Sequence, residues 1–387
     1  MSDAVRPLRE RELEQLLAIR QIAFLDRATV DDPETRARHL ARLPYTWGHF
    51  VGEALASAAV MYPFEAFVAG ARVPVGGLAA VLSAPEHRRR GGVRKLLARL
   101  LAELQRAGVG WCLEYPFDSR FYARYGFASV PSGAALKVPS ERLYRGAAPA
   151  GARRVGAEAA PQLAEIYAAW AASYTFALVR GGRAEAARAS WPRLLEAPRF
   201  SYLLEDAYCV LELTEAEGEQ TLTVHDYAYR SPAGYDALWR FIGSFHGQVR
   251  WVRVQLADDD PLLLELQPYG TGALPPLQAR LVDVPRALAA FSSPHSTRFV
   301  LRVEDAFCPW NARTFGVELG PEVALTPTAA LPDLTLDVAT LAQLVSGALS
   351  ASAAARTGAV RGDLRAARAL AALAGEHRPF MPVADFF

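Results

Sequence analysis

The stretch Val81-Leu82-Ser83-Ala84-Pro85-Glu86-His87-Arg88-Arg89-Arg90-Gly91-Gly92 constrains this chain more than any other. It joins the end of an apolar strand, a tight basic-glycine turn and the start of a helix. Backbone N–H groups at a helix N-terminus lack intrahelical partners, and the helix dipole places partial positive charge there. Glycines let that backbone approach a ligand closely and adopt positive φ. Three arginines add charge at the same mouth. The combination predicts a pyrophosphate site. The helix that follows sets Val93, Leu96, Leu97, Leu100, Leu101 and Leu104 on one face.

The turn has neither the GxGxxG nor the GxxxxGK[ST] spacing, so the usual dinucleotide and triphosphate readings do not apply. Gly108 marks the helix end. Val109 to Tyr115 then reads as a short buried strand stopped by Pro116. Strand, anion loop, helix, strand is a βαβ unit, with its ligand at the carboxyl end of the first strand.

A chain of 387 residues is expected to hold two or three domains. Hydrophobic content of 51% with 21% charged residues describes packed globular structure. A net charge of +1 argues against a general binder of nucleic acid or acidic membrane, because such proteins carry a clear basic excess. Cys112, Cys209 and Cys308 are far apart, show no disulfide or zinc spacing, and read as buried core thiols; no metal is expected. The first residues have no apolar h-region, and no apolar run is long enough to span a membrane. These features predict a cytoplasmic protein of a reducing compartment.

Leu13 to Phe24 reads as a helix with Leu13, Leu16, Leu17 and Ile22 inward. His49 to Tyr62 reads as a strand pair, and Gly70 and Pro74 punctuate the approach to Val81. Arg145 to Arg153 is a candidate linker, and a second block begins at Ala157. There the strand Thr221–Tyr229, the helix Tyr235–Phe245 and the strand Val249–Leu256 repeat the earlier rhythm. Arg230-Ser231-Pro232-Ala233-Gly234 stands in place of the arginine-glycine turn. A third block starts near Leu281. It holds strands Arg298–Glu304 and Phe315–Leu319, a helix capped by Asp337 or Thr340, and a helix over Asp363–Leu373. The last residues are apolar and aromatic, which predicts that they pack into the protein and carry the α-carboxylate with them.

The arginine-glycine turn resembles the acyl-CoA loop of the GNAT N-acetyltransferases, whose pattern is Arg/Gln-x-x-Gly-x-Gly/Ala. Arg88 and Gly91 fill the first two places, and Val93 stands where a small residue is usual. Val81 to Leu97, Phe121 to Phe127, Leu281-Val282-Asp283-Val284-Pro285-Arg286-Ala287-Leu288 and the aromatic end together resemble the enhanced-intracellular-survival (Eis) branch of that family. The resemblance covers essentially the whole chain. It implies a mixed α/β protein of tandem GNAT domains followed by a sterol-carrier-protein-like α+β domain. Residues 1–146 would be the catalytic domain, 147–280 a degenerate GNAT-like domain without cofactor loop, and 281–387 the third domain, its end reaching the active site.

The implied activity is acetyl transfer from acetyl-CoA to an amine of a small molecule or peptide, such as an aminoglycoside-like compound, a polyamine or a lysine side chain. By resemblance Tyr122 is the general acid and the α-carboxylate of Phe387 the base; Tyr125 is the rival in the same motif. Val81, Leu82 and Ser83 would pair with the pantetheine arm. Arg89, Arg90, Gly91, Gly92, Val93 and Arg94 would hold the pyrophosphate, with Arg88 contributing charge and Phe117 and Asp118 lying beside the cofactor. Members of the branch are typically hexamers, so a homo-oligomer is expected, with no nucleic acid or membrane partner. His87 faces the phosphates, on the wrong side of the thioester for a base. Phe386 fills a place where members of the branch can carry an acid, and Asp385 lies one further back, which predicts a less acidic pocket. The competing reading is a hydrophobic-ligand carrier or regulatory protein with a vestigial acetyltransferase domain.

Overall fold

The computed structural model describes residues 3–25, 32–181, 190–266, 271–272, 274 and 277–387. Its strands form two seven-stranded sheets, one five-stranded sheet and one short pair. The first sheet begins with β1 (Asp3–Pro7), β2 (Thr46–Val51), β3 (Ala54–Val68), β4 (Ala71–Ser83), β5 (Trp111–Glu114) and β6 (Ala128–Val130). The second takes β7 (Ala134–Pro139), β8 (Arg153–Val155), β10 (Phe200–Leu203), β11 (Ala207–Ala216), β12 (Glu219–Tyr229), β13 (Trp251–Leu256) and β14 (Thr271–Gly272). The short strand β9 (Tyr174–Thr175) lies outside both, and β15 (Leu277–Leu281) completes the first sheet.

Two strands cross the expected chain divisions. β15, from the end of the second block, enters the first sheet between β5 and β6, in the order β1-β2-β3-β4-β5-β15-β6. β7, inside the expected first domain, joins the second sheet against β13. The boundaries at 146/147 and 280/281 therefore do not separate the sheets. Each strand's alternation is met at its new place: Leu136 and Val138 of β7 enter the second core while Lys137 faces out.

Helices follow their sequence patterns with one exception. α1 (Leu13–Phe24) buries Leu13, Leu16 and Leu17, but Ile22 is 58% exposed. At about 100° per residue, Ile22 lies about 180° around the helix from Leu13, on the solvent side. Helix α2 spans Pro33–Arg42. Helix α3 (Gly92–Arg106) buries Leu96, Leu97, Leu100, Leu101 and Leu104 against one face of the first sheet. It ends at Gly108, φ 77°, whose N–H and that of Val109 return to the carbonyls of Gln105 and Leu104. The thiols of Cys112, Cys209 and Cys308 are buried and unbridged.

The third sheet contains β16 (Thr297–Glu304), β17 (Thr314–Leu319), β18 (Ala324–Pro327), β19 (Leu334–Asp337) and β20 (Val360–Gly362), ordered β18-β17-β16-β19-β20. Asp337 caps the helix Val338–Ser346 by accepting from the Thr340 N–H, and Asp363 caps Leu364–Ala372. Asp283 caps Val284–Leu288, the short helix at the Asp-Val-Pro-Arg-Ala-Leu element. That helix packs so closely on the entry to β5 that a Cβ at Gly110 would lie 2.7 Å from the backbone of Ala287. One continuous apolar core joins Tyr62, Phe64 and Trp111 of the first sheet to Leu301, Leu336 and Leu341 of the third domain. First and third domains are thus fixed to each other by shared burial. No helix among the described residues is long and apolar enough to cross a membrane.

Candidate active site

The site starts where β4 and β5 part. Their parallel pairing runs from Val75–Trp111 to Leu78–Glu114 and stops there, while β4 continues through Ala79–Ser83. A bulge opposite Ala59 causes the divergence. The β3–β4 register shifts between Ala58 and Val60, and Ala80 sits at φ 49°, in the left-handed region. Beyond Leu78 the β5-facing edge of β4 carries main-chain N–H and C=O groups with no strand against them among the described residues. Val81, Leu82 and Ser83 lie on this stretch. The Leu82 side chain is buried, and the Ser83 hydroxyl meets that of Ser57 at 2.8 Å.

From Ser83 the chain passes through a short 3-10 turn, Pro85–His87, into the arginine-glycine turn. Arg88, Arg89, Arg90 and Arg94 are all exposed around the start of α3. Gly91 is the N-cap at φ 79°, a conformation strained for any other residue, and it offers no side chain to cap the helix. The first N–H groups of α3, from Gly92, Val93 and Arg94, have no intrahelical partner, an arrangement that suits an anion. Gly92 is required by space. A Cβ there would stand 2.7 Å from the Ser57 hydroxyl and 2.9 Å from His49 Nδ1. His87 lies in the turn before this mouth, as expected.

Tyr122 sits on α4 (Ser119–Ala123), which is capped by Asp118 accepting from the Arg120 N–H at 2.9 Å. It is 3% exposed and belongs to the cluster of Leu96, Leu97 and Cys112 on the α3 face of the sheet. Burial, with the nearby Glu114 carboxyl and Tyr125 adding to it, holds its phenol far above the usual range. The hydroxyl therefore keeps its proton and is a hydrogen-bond donor. Tyr125 is instead packed edge-on against Phe307 of the third domain, at 4.9 Å between ring centres. The Phe117 ring is 74% exposed and touches Phe121 and Tyr122.

The tail arrives from the other face. β21 (Arg378–Pro379) runs parallel to β9, and the Phe380 N–H donates to the Thr175 carbonyl at 2.9 Å. Phe386 and Phe387 then flank Tyr115, with ring centres 4.6 and 5.7 Å away. Phe387 also meets Phe64 at 4.9 Å and covers Gly77, where a Cβ would lie 3.1 Å from its ring. Successive strand residues point to opposite faces. Gly77 therefore looks to the tail, while Gly76 and Leu78 look to α3. Asp385 does not enter this space, because it is buried against Arg180 and Tyr167.

Sequence reasoning missed Glu114. It is 1% exposed, its Oε1 has no hydrogen-bond partner among the described residues, and burial pushes its carboxyl up to about 9. It stands at the last paired position of β5, on the Tyr122 side. The signal was a carboxyl inside an otherwise apolar strand.

At the corresponding junction of the second sheet the protein's own groups occupy the helix mouth, while the strand gap opens into a cavity of about 630 Å³ lined by Thr223, Val224, Arg253, Val254 and Val383. Ser231 caps the helix Pro232–Gly243 through the Gly234 N–H, and Asp206 binds both Ser231 and Arg230 at that mouth. A Cβ at Gly234 would lie 2.7 Å from the Asp206 carbonyl oxygen. β12 and β13 pair only from Thr221–Trp251 to Thr223–Arg253. Beside their diverging ends, Gln255 donates to the carbonyls of Ser132 and Met381 and accepts from the Val383 N–H.

Comparison with known families finds the acetyltransferase (GNAT) domain over residues 4–130, a second acetyltransferase (GNAT) domain over 185–281, and the sterol carrier protein domain over 284–382. An N-acetyltransferase of Streptomyces coelicolor is 29% identical, over 81% of both chains. One from Streptomyces avermitilis is 27% identical over 98% of this chain and 97% of its own. Among solved structures, a GCN5-related N-acetyltransferase from Anabaena variabilis superposes over 100% of both chains with TM-score 0.88 at 21% identity. Eis1 from Mycobacterium abscessus superposes with TM-score 0.81 at 23% identity, covering 99% of this chain and 100% of its own. The architecture is thus two GNAT domains followed by a sterol-carrier-protein-like domain, and the chain is an enzyme of the N-acetyltransferase class.

Proposed function

We propose that this GNAT-type N-acetyltransferase moves the acetyl group of acetyl-CoA onto an amine at the gap between β4 and β5. Tyr122 acts as acid and the Phe387 α-carboxylate as base. The observation that carries this reading is the placement of Tyr122 and Phe387 on opposite faces of the sheet at that gap. The attacking amine and the departing thiolate are separate substituents of the tetrahedral carbon, so a base at one and an acid at the other approach it from different directions.

The residues fit acetyl-CoA, which supplies an activated acyl carbon on a sulfur leaving group. The N–H groups at Gly92–Arg94 suit its pyrophosphate, and Arg88, Arg89 and Arg90 suit its negative charge. The free edge of Val81, Leu82 and Ser83 suits the amide-bearing pantetheine arm, which can pair with it as a strand would. In this reading Phe117, which touches Tyr122, and Asp118, which caps α4, lie beside the cofactor. A main-chain N–H of the β4 edge donates, on the same reading, to the oxygen that gains charge.

The Phe387 carboxylate accepts a proton from the amine as the new C–N bond forms. Tyr122 donates to the sulfur as the C–S bond breaks, so the products are an amide and a neutral thiol. Solvent exchange then returns the proton from the carboxylate to the phenol. The second GNAT domain carries no acetyl-CoA in this reading, because Asp206, Arg230 and Ser231 occupy the helix mouth where a pyrophosphate would sit. The enzyme belongs to the Eis branch and assembles as a homohexamer in this reading. It acts on amines of small molecules or peptides in the cytoplasm.

Thiol-detected CoA release with acetyl-CoA, across aminoglycosides, polyamines, simple aromatic amines and lysine peptides, tests the reading. Amine-dependent release is the expected result. Measurable acetyl-CoA binding with no release for any amine would overturn it.

A further inference from the structure

The tail that carries Phe387 to the gap is fastened by one buried ion cluster. Arg180 is almost fully buried and grips two carboxylates at once. Its Nη1 and Nη2 donate to Asp226 at 2.6 and 2.9 Å. Its Nε donates to Asp385 Oδ1 at 2.8 Å, and Nη2 reaches Oδ2 at 3.3 Å. The Tyr167 hydroxyl meets Asp385 at 2.8 Å, and the Tyr208 hydroxyl donates to Asp226 at 2.6 Å. The guanidinium stacks on the Tyr167 ring, 3.8 Å from its centre.

The cluster joins all parts of the chain. Asp226 belongs to β12 of the second sheet. Arg180 follows residues 176–179, whose backbone bonds to Phe67 and Glu65 of β3 in the first sheet. Asp385 lies two residues before the end of the tail. A guanidinium offers a rigid planar fork, so paired contacts define position as well as energy. Burying two carboxylates on one guanidinium is an expensive way to gain stability, since apolar packing of similar volume does as well or better. Chain ends usually fray, and this one is held two residues, roughly 7 Å of chain, from its last atom.

We propose that Arg180 is a positioning residue for acetyl transfer: through Asp385 it fixes where the Phe387 α-carboxylate stands beside the reacting amine. This rests on the reading of that carboxylate as the base. The titratable groups facing Asp385 are Arg180, Asp226, Tyr167 and Tyr115. Burial and the Asp226 charge raise its carboxyl, and Arg180 opposes them.

The test compares Asp385→Ala, Asp385→Asn, Arg180→Lys and a chain lacking Phe387, using the amine found active in the release assay. Asp385→Ala leaves the Arg180–Asp226 pair intact, so folding is preserved even if Arg180 variants are lost. Asp385→Ala is expected to lower kcat by roughly 10²-fold at neutral pH while acetyl-CoA affinity holds. The loss should shrink as pH rises, because hydroxide in the solvent increasingly takes the proton that the displaced carboxylate no longer reaches. Asp385→Asn, which can still accept from Arg180, should recover a large part of the rate. Added acetate should rescue both Asp385→Ala and the shortened chain. If the shortened chain loses activity but Asp385→Ala keeps wild-type kcat, the positioning role is overturned and the base survives. If the shortened chain itself keeps wild-type kcat, the base reading falls and the positioning role falls with it. A loss in Asp385→Ala that is equal at every pH would mark a general structural defect and would also overturn the proposal.

Discussion

Tyr122 and Phe387 stand on opposite faces of one sheet, with Leu78 and Glu114, the last paired residues of β4 and β5, between them. Neither helix nor tail alone creates this relationship. α4 presents the phenol on the α3 side, and the third domain delivers the last residue to the other. Tyr122→Phe keeps the ring contacts with Phe117, Phe121 and Phe127 but removes the donor. It is expected to lower kcat by roughly 10²-fold with acetyl-CoA affinity unchanged. Removing Phe387 should lower kcat by a similar factor. Steady-state kinetics beside calorimetry of acetyl-CoA binding separate the two effects. Loss of cofactor affinity in Tyr122→Phe would argue that the residue only packs.

The turn at Gly91 and Gly92 should govern cofactor binding alone. Gly91→Asp puts a carboxylate where the helix mouth favours an anion and asks an L-residue to hold φ 79°. Gly92→Ala drives a methyl into Ser57 and His49. Both are expected to weaken acetyl-CoA binding, Gly91→Asp beyond detection. Calorimetry on protein with an unchanged melting curve is the check, and wild-type affinity in Gly91→Asp would refute the turn as the pyrophosphate site.

Arg280 of β15 is fully buried, and its Nη2 donates to Asp305 Oδ2 at 2.6 Å. Its Nε and Nη1 have no nitrogen or oxygen partner among the described residues. A buried pair broken from one side leaves an uncompensated charge, which costs roughly 3–5 kcal/mol. Asp305→Asn and Arg280→Met should each destabilise on that scale, because each strands the other's charge in the core, whereas the double variant Arg280→Met/Asp305→Asn should cost far less than the two losses added together. Chemical denaturation of the full chain compares them. A double variant whose loss equals the sum of the single losses would show that the pairing is not what matters.

What the sequence made legible follows from locality. α3 and its turn were readable because a 3.6-residue apolar period and a glycine-rich start lie in one short stretch. The caps Asp337, Asp363 and Asp283 were readable for the same reason or fell inside motifs already singled out. Ile22 was misplaced because spacing near three or four residues was counted without following the angle around the helix. The exchange of β7 and β15 left no trace, since a strand's alternation is the same whichever sheet receives it. Arg180, Asp226 and Asp385 are brought together from positions far apart in sequence, so no spacing could have joined them. The bulge at Ala80 is a backbone event in an ordinary Ala-Ala-Val run. Glu114 was visible as a carboxyl in a buried strand, but only the structure shows that Oε1 is left without a partner among the described residues.

That carboxyl yields a sign-definite pH dependence. In the unfolded chain Glu114 titrates near its ordinary value of 4.5, and in the fold burial holds it protonated up to about 9. Below the lower value both states are neutral, and this group adds no pH dependence. Between the two values the unfolded chain has released a proton that the folded chain keeps, so stability falls as pH rises. Above about 9 the folded carboxyl ionises as well and the fall levels off. The window corresponds to a loss on the order of 6 kcal/mol if the whole shift is realised. Glu114→Gln keeps the shape and cannot ionise. Its unfolding free energy should therefore exceed that of the natural chain increasingly from pH 5 to pH 9, with the two converging at pH 4. Thermal or chemical unfolding of both proteins across that range measures the difference, in which all other titrations cancel. Parallel curves would mean that Glu114 is ionised in the folded protein and has a partner for its charge.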